Sequence, residues 1–193
     1  MNKLRNQVNL DNTLKVTTSS FAYKDPYQLS GGLFYKIKNR VQTFMSLRNI
    51  ENEFVDFKTY NIDKNFKEIN SSVCIAFSKR DKVRLQRSLS VSMFEYAKAL
   101  HREKGNRINP FLKDVHSLKV MQARIYSEND HLLPEEQWAQ LTVRLKGTDM
   151  TGENTTQFTV FERRLADKMD YYDWKISFLA DEEDFRFIND PKF

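Results

Sequence analysis

The chain has 193 residues, which suits one domain with tails or at most two small domains. Its 15 Phe and 8 Tyr, within a hydrophobic content of 40%, suffice for a core, while five Gly and four Pro exclude a loop-dominated or low-complexity protein. The net charge of +5 is uneven: residues 1–50 hold eight Lys/Arg against Asp11 and Asp25, which points the N-terminal quarter at phosphates of nucleic acid or anionic lipid.

Met1 to Ser20 is polar, rich in Asn and Thr, and nearly free of acids. It resembles part of a mitochondrial presequence without the Arg-rich amphipathic pattern, and an extended tail fits equally well. No apolar segment of a secretory signal is present. Asp25-Pro26 and Gly31-Gly32 bracket a linker, so residues 1–32 are expected to form a flexible basic tail. Leu33 to Leu47 is amphipathic. At helical spacing Leu33, Phe34, Ile37, Val41, Phe44, Met45 and Leu47 share an arc of about 160°, flanked by Lys38 and Arg40 and opposed by Lys36, Asn39 and Thr43. The arc is expected to pack on the domain core; the sharper alternative is a basic helix lying on an anionic membrane.

Asp63 to Phe77 predicts a second helix with Phe66, Ile69, Val73 and Phe77 on one face. Val73-Cys74-Ile75-Ala76-Phe77 is the longest apolar run and is too short to span a bilayer. Cys74, the single cysteine, reads there as a buried small hydrophobe; with no disulfide framework and no CxxC, the chain suits a reducing compartment or one indifferent to disulfides. Ser78-Lys79-Arg80-Asp81 reads as a capping box that opens a third helix running to about Lys104, with Leu85, Leu89, Met93, Tyr96 and Leu100 on its apolar face. On one continuous helix Arg84, Arg87, Lys98 and Arg102 project within about 60° of one another. Such a face is either merely solvated or a binding surface for phosphate.

After Asn109-Pro110 the period becomes two. Leu118–Tyr126, Trp138–Lys146, Thr155–Leu165 and Tyr172–Leu179 read as strands, with a turn at Gly147 to Gly152. Phe158, Val160, Trp174, Ile176 and Phe178 are expected to close the sheet over the helices, with Glu162, Arg163 and Asp173 left wet. Asp181 to Asp184 opens an acidic tail over 181–193. Helices followed by an antiparallel meander predict one α+β domain over 33–180. Its N-terminal helices would pack on a curved antiparallel sheet of about four strands, forming a cone with an apolar cleft.

Catalytic patterns are sparse. His101, His116 and His131 lack HxxxH or HExxH spacing, and no GxSxG, P-loop or GxGxxG occurs. Glu135-Glu136 reads as exposed; an alternative reading sets Asp170, Tyr171 and Tyr172 in the cleft to act on a small apolar ligand. No paired-aromatic octapeptide of an RNA-reading sheet is present, whereas contact with RNA phosphates needs only placed Lys and Arg. The expectation is no catalytic residue, no metal and no cofactor.

Val160-Phe161-Glu162-Arg163-Arg164-Leu165, a polar turn and Trp174-Lys175-Ile176, preceded by Gln140-Leu141-Thr142-Val143-Arg144-Leu145, resemble the last strands of one mitochondrial domain family. That family holds the C-terminal domain of the 44-kilodalton inner-membrane import subunit, protein 45 of the mitochondrial large ribosomal subunit, and the fungal inner-membrane ribosome receptor Mba. The resemblance spans roughly residues 33–180. It implies a cone-shaped, nuclear-transport-factor-two-like domain that is no enzyme. The expected role is a structural component of the mitochondrial large ribosomal subunit near the peptide exit, in the matrix against the inner membrane. The alternative is an accessory subunit of a respiratory complex, ATP synthase or the import machinery. Partners would be mitochondrial rRNA and ribosomal proteins, or other subunits of a large complex, with peripheral contact to anionic lipid and no small-molecule substrate. Lys36, Lys38, Arg40, Arg84, Arg87, Lys98 and Arg102 are the candidate rRNA- or lipid-phosphate contacts. The import subunit's long motor-binding region and the proline-rich extension of some ribosomal members are not expected here, which weakens the import-tether expectation more than the ribosomal one.

Overall fold

A computed structural model describes residues 32–53, 57–104, 108–127, 137–164 and 174–181. Residues 1–31, His131, Glu135-Glu136, the turn with Asp170, Tyr171, Tyr172 and Asp173, and the tail after Asp181 lie outside the described residues. Helices α1 (Gly32–Glu53), α2 (Ile62–Lys79), α3 (Lys82–Ser88) and α4 (Val91–Lys104) precede strands β1 (Asp114–Ser127), β2 (Gln137–Thr148), β3 (Asn154–Arg164) and β4 (Lys175–Asp181), with a 3-10 turn at Thr59–Asn61. The strands form one sheet in the order β1-β2-β3-β4, each pair antiparallel. The fold is α+β.

The core begins with α2. Phe66, Val73 and Phe77 recur at helical spacing and are buried, joined by Cys74 and Ala76, with Ile69 packed at the margin. Phe66 stacks on Phe161 of β3 at 4.3 Å between ring centroids and meets Trp174 edge-on at 5.3 Å. Such paired rings add about 0.5–1.5 kcal/mol beyond the area they bury. Asn70, also buried, donates to the Leu112 carbonyl at 2.9 Å, and Gln157 of β3 donates to the Pro110 carbonyl at 2.7 Å. The two amides hold the α4–β1 connection under the sheet.

The region expected to be one long third helix is two, and the reason is local. Ser78 lies inside α2, where its hydroxyl donates to the Cys74 carbonyl, so it caps nothing. Arg80 ends α2 in the left-handed region at φ 56°, and Asp81 N–H closes back on the Ala76 carbonyl at 2.9 Å. A side chain in that conformation costs about 1–2 kcal/mol relative to glycine. Asp81 is the N-cap of α3, its carboxylate accepting from Arg84 N–H at 3.1 Å. The break follows at Leu89-Ser90. Ser90 Oγ accepts from Met93 N–H at 3.3 Å, which starts α4, while Ser90 N–H donates to the Ile176 carbonyl at 2.9 Å. Leu89 thereby bridges to Ile176 in parallel on the outer edge of β4. A serine that caps a new helix and pairs with a sheet edge cannot continue the old one. Leu85, Leu89 and Met93 are nonetheless buried, with Tyr96 and Leu100 packed beside them, as the spacing predicts.

In the sheet, Leu141, Val143 and Leu145 of β2 are fully buried on the face toward the helices. Gly147 sits where any Cβ would run into the Asp114 backbone carbonyl of β1. The β2–β3 turn is held by Asp149, whose carboxylate accepts from Thr151 N–H at 2.8 Å and Glu153 N–H at 3.0 Å, with Gly152 at φ 89°.

Two expectations about the last hairpin fail. Phe158 does not face the helices: it is separated by three positions from Phe161, hence on the other side of the strand, and joins Ala180, Met121 and Phe178 in a second cluster. Phe161, Trp174 and Ile176 meet the helices. The register shift opposite Val160/Phe161 leaves Ser177 as an extra residue on β4, which puts Ile176 and Phe178 on opposite faces despite their spacing of two. Nor are Glu162 and Arg163 wet. They are 4% and 6% exposed, and Glu162 Oε1 accepts from Gln140 Nε2 across the strands at 2.8 Å.

Candidate docking surface

Helix α1 lies along β1, the edge strand, and is attached by its polar side. Asn39 donates to the Met121 carbonyl at 3.1 Å and accepts from Arg124 Nη2 at 2.6 Å and Gln122 Nε2 at 3.3 Å. One turn on, Thr43 Oγ1 accepts from Ala123 N–H and from Arg124 Nη1, both at 3.4 Å. Met121 falls in the register shift between Val120 and Gln122, where the strand's own pairing is interrupted. An open edge with unpaired N–H and C=O groups needs covering, and Asn39 and Thr43 supply partners to it. Lower down the same side, Leu47 packs against the core and Ile50 is completely buried.

With Asn39, Thr43 and Ile50 facing the sheet, helical geometry turns the apolar arc away from it. Leu33 is 75% exposed, Phe34 77% and Phe44 66%, and Ile37, Val41 and Met45 are exposed as well. Of the seven residues of the arc only Leu47 touches the core. The expectation that the arc packs on the core is therefore overturned. The helix is placed by hydrogen bonds to an edge strand, which spacing of apolar residues does not register. Lys38 and Arg40 are exposed on the flanks of the arc and Arg48 at its C-terminal end, Lys36 is exposed on the opposed side, and no acid occurs between Gly32 and Ile50. The result is an apolar strip from Leu33 to Met45, about three and a half turns long, bordered by cations and by no acid.

The second group of candidates does not form one face. Arg84 and Arg87 belong to α3, Lys98 and Arg102 to α4, and the break at Leu89-Ser90 separates the pairs. Lys98 is held by Glu95 at 2.7 Å and lies over the Phe94 ring, 5.2 Å from its centroid. Arg84 approaches Asp81 at 4.0 Å, and Arg87 and Arg102 are exposed.

The chemistry-bearing residues are occupied structurally. Burial pushes the Cys74 thiol above its ordinary pKa, against a smaller opposing effect of the Asn109 amide at 3.4 Å. His101 stacks on Phe77 at 3.9 Å and has Nε2 2.9 Å from the Phe77 carbonyl, tying α4 to the end of α2. His116 is exposed on β1, its carbonyl accepting from Lys67. Among the described residues no three His, Cys, Asp or Glu gather to hold a metal, and no helix is long and apolar enough to cross a membrane. Compared with known proteins, the chain matches no family model and no curated protein.

Proposed function

We propose that the chain is a non-catalytic structural component of the mitochondrial large ribosomal subunit near the peptide exit, linking ribosome and inner membrane from the matrix side. The observation that carries the membrane half of this reading is the outward apolar arc of α1 with its surrounding lysines and arginines. A helix of this kind lies in the plane of an interface, its apolar side chains among the acyl chains and its cations at anionic headgroups. Each basic residue near such a surface contributes about 1 kcal/mol, falling off within a Debye length. The ribosomal half rests on the resemblance of the β2–β4 segments and on the basic N-terminal quarter.

The test is flotation of the full chain with vesicles, neutral or containing a fifth anionic lipid, alongside salt-dependent co-sedimentation with mitochondrial large subunits. Binding to the anionic vesicles only, abolished by Phe34→Glu with Phe44→Glu, supports the membrane half. Co-migration with a respiratory complex, ATP synthase or import machinery, without rRNA, would replace the ribosome by that assembly. Indifference of the double variant would remove α1 from the account.

A further inference from the structure

The corner between α2 and α3 carries a second cationic surface that differs in kind from the first. Lys79, Arg80, Lys82, Arg84 and Arg87 fall within nine residues and all are exposed. Asp81, the one acid among them, is engaged as the N-cap of α3 and faces Arg84. Arg80 stands at a left-handed position (φ 56°) where glycine is the unstrained choice. His101 pins the end of α4 to Phe77, next to the end of α2, which steadies the corner. Within Lys79–Arg87 Val83 is the exposed large apolar residue among the described residues, with Ile75 one turn before and Val91 one turn after, so no run like that of α1 is present.

Its place in the fold separates it from α1. The corner leads directly into Leu89-Ser90, which pairs with β4, whereas α1 is fastened to β1. β1 and β4 are the two opposite edges of the sheet, three strand spacings or about 14 Å apart. The apolar arc of α1 points away from the sheet, and the corner's attachment is at the other edge of that sheet. We infer that the Lys79–Arg87 corner is an RNA-contacting surface that grips phosphates of a structured RNA without reading its bases, while α1 is engaged elsewhere. This deepens the ribosomal reading above and rests on it. The cations ride on a helix turn and a left-handed cap, which holds them at fixed spacing, and phosphate contacts of this type fix position rather than sequence. Lys98, paired with Glu95, is not part of the surface.

The experiment is fluorescence anisotropy of the full chain with a labelled RNA hairpin of arbitrary sequence, across a salt series. Two variants are compared: Lys79→Gln/Lys82→Gln/Arg84→Gln/Arg87→Gln at the corner, and Lys36→Gln/Lys38→Gln/Arg40→Gln on α1. Glutamine keeps helix propensity at these exposed sites. The corner variant is expected to lose at least about tenfold in affinity and to lower the slope of log affinity against log salt by about one for each contact removed. The α1 variant is expected to stay within about twofold, because its cations face another way. Equal losses from both variants would mean diffuse attraction by net charge and would overturn the proposal, as would an unchanged salt slope in the corner variant. Vesicle flotation is read in parallel. A corner variant that floats like the parent supports two separate surfaces; one that no longer floats makes the corner a lipid surface and overturns the assignment to RNA. If the parent fails to float yet binds RNA through the corner, the membrane reading of α1 falls and the corner stands.

Discussion

Helices α1 and α2 are alike in sequence and opposite in use. Both space large apolar residues for one face and carry lysines on the other. In α2 that face is the core: Phe66, Val73 and Phe77 are buried against β3 and α4. In α1 it is the surface, and the helix is held by Asn39 and Thr43 instead. Hydrophobic periodicity establishes that an apolar face exists; it does not establish what that face meets. The deciding information is in the residues between, where α1 has side chains able to satisfy a strand edge and α2 has Asn70 bound inward to Leu112.

The largest expected effect separates the two helices by stability. Phe66→Ala removes a ring that stacks on Phe161 and meets Trp174 edge-on, leaves a cavity, and is expected to cost about 3–5 kcal/mol in urea unfolding. Phe44→Ala on α1 is expected to change stability by less than about 0.5 kcal/mol, since the side chain is 66% exposed. Equal losses would mean that Phe44 is packed in solution and the two helices are not opposites.

A smaller effect probes the strand on which α1 hangs. In Gly147→Ala the new methyl meets the Asp114 carbonyl and Val115 Cα of β1, backbone atoms that cannot swing away as a side chain would. A loss of about 1–3 kcal/mol is expected in the same assay. A neutral result would place the β1–β2 ladder elsewhere. Smaller again is Asn39→Ala, which takes a donor from Met121 and an acceptor from Arg124 and is expected to cost about 0.5–1.5 kcal/mol. Its sharper readout is faster hydrogen exchange in α1 with none in α2. Parallel acceleration in both would mean that α1 is fixed by Leu47 and Ile50, and that the polar attachment is incidental.

Much of the fold was legible because it rests on period. Three-residue and four-residue spacing placed α1 and α2, and alternation placed four strands in their order. What was not legible depends on single contacts across the chain. Ser90 breaks the third helix because Ile176, 86 positions away, offers it a carbonyl at the sheet edge. Phe178 changes face because one extra residue, Ser177, is accommodated in β4. Glu162 is buried because Gln140 on the adjacent strand meets it. The candidate surface was half legible: the cations of α1 were found, but its outward aim depends on Asn39 and Thr43, whose partners are 80 or more positions distant. The supposed four-cation face vanished with the break at Leu89-Ser90.

The smallest effect concerns acid, and sharpens the contrast by asking which helix melts with the sheet. The hydroxyl of Thr151 holds the Asp149 carboxyl below its ordinary pKa of 3.8 against the opposing desolvation, with further lowering from the N–H groups of Glu153, Thr151 and Gly152. A carboxylate with a depressed folded pKa contributes stability that is fully present above the unfolded value and is lost as pH falls through the folded one. The contribution of Asp149 should therefore be complete above about pH 5 and fade below pH 4. In Asp149→Asn the side-chain oxygen still accepts from the turn but no longer titrates. Urea midpoints from pH 6 to pH 2 should accordingly fall less steeply for the variant at the acid end. Because the turn joins β2 to β3, the strands that pack on α2, the acid loss should track the burial of α2 aromatics, followed by tryptophan fluorescence at Trp174. Identical pH slopes for parent and variant would show that the turn is formed independently of the charge on Asp149.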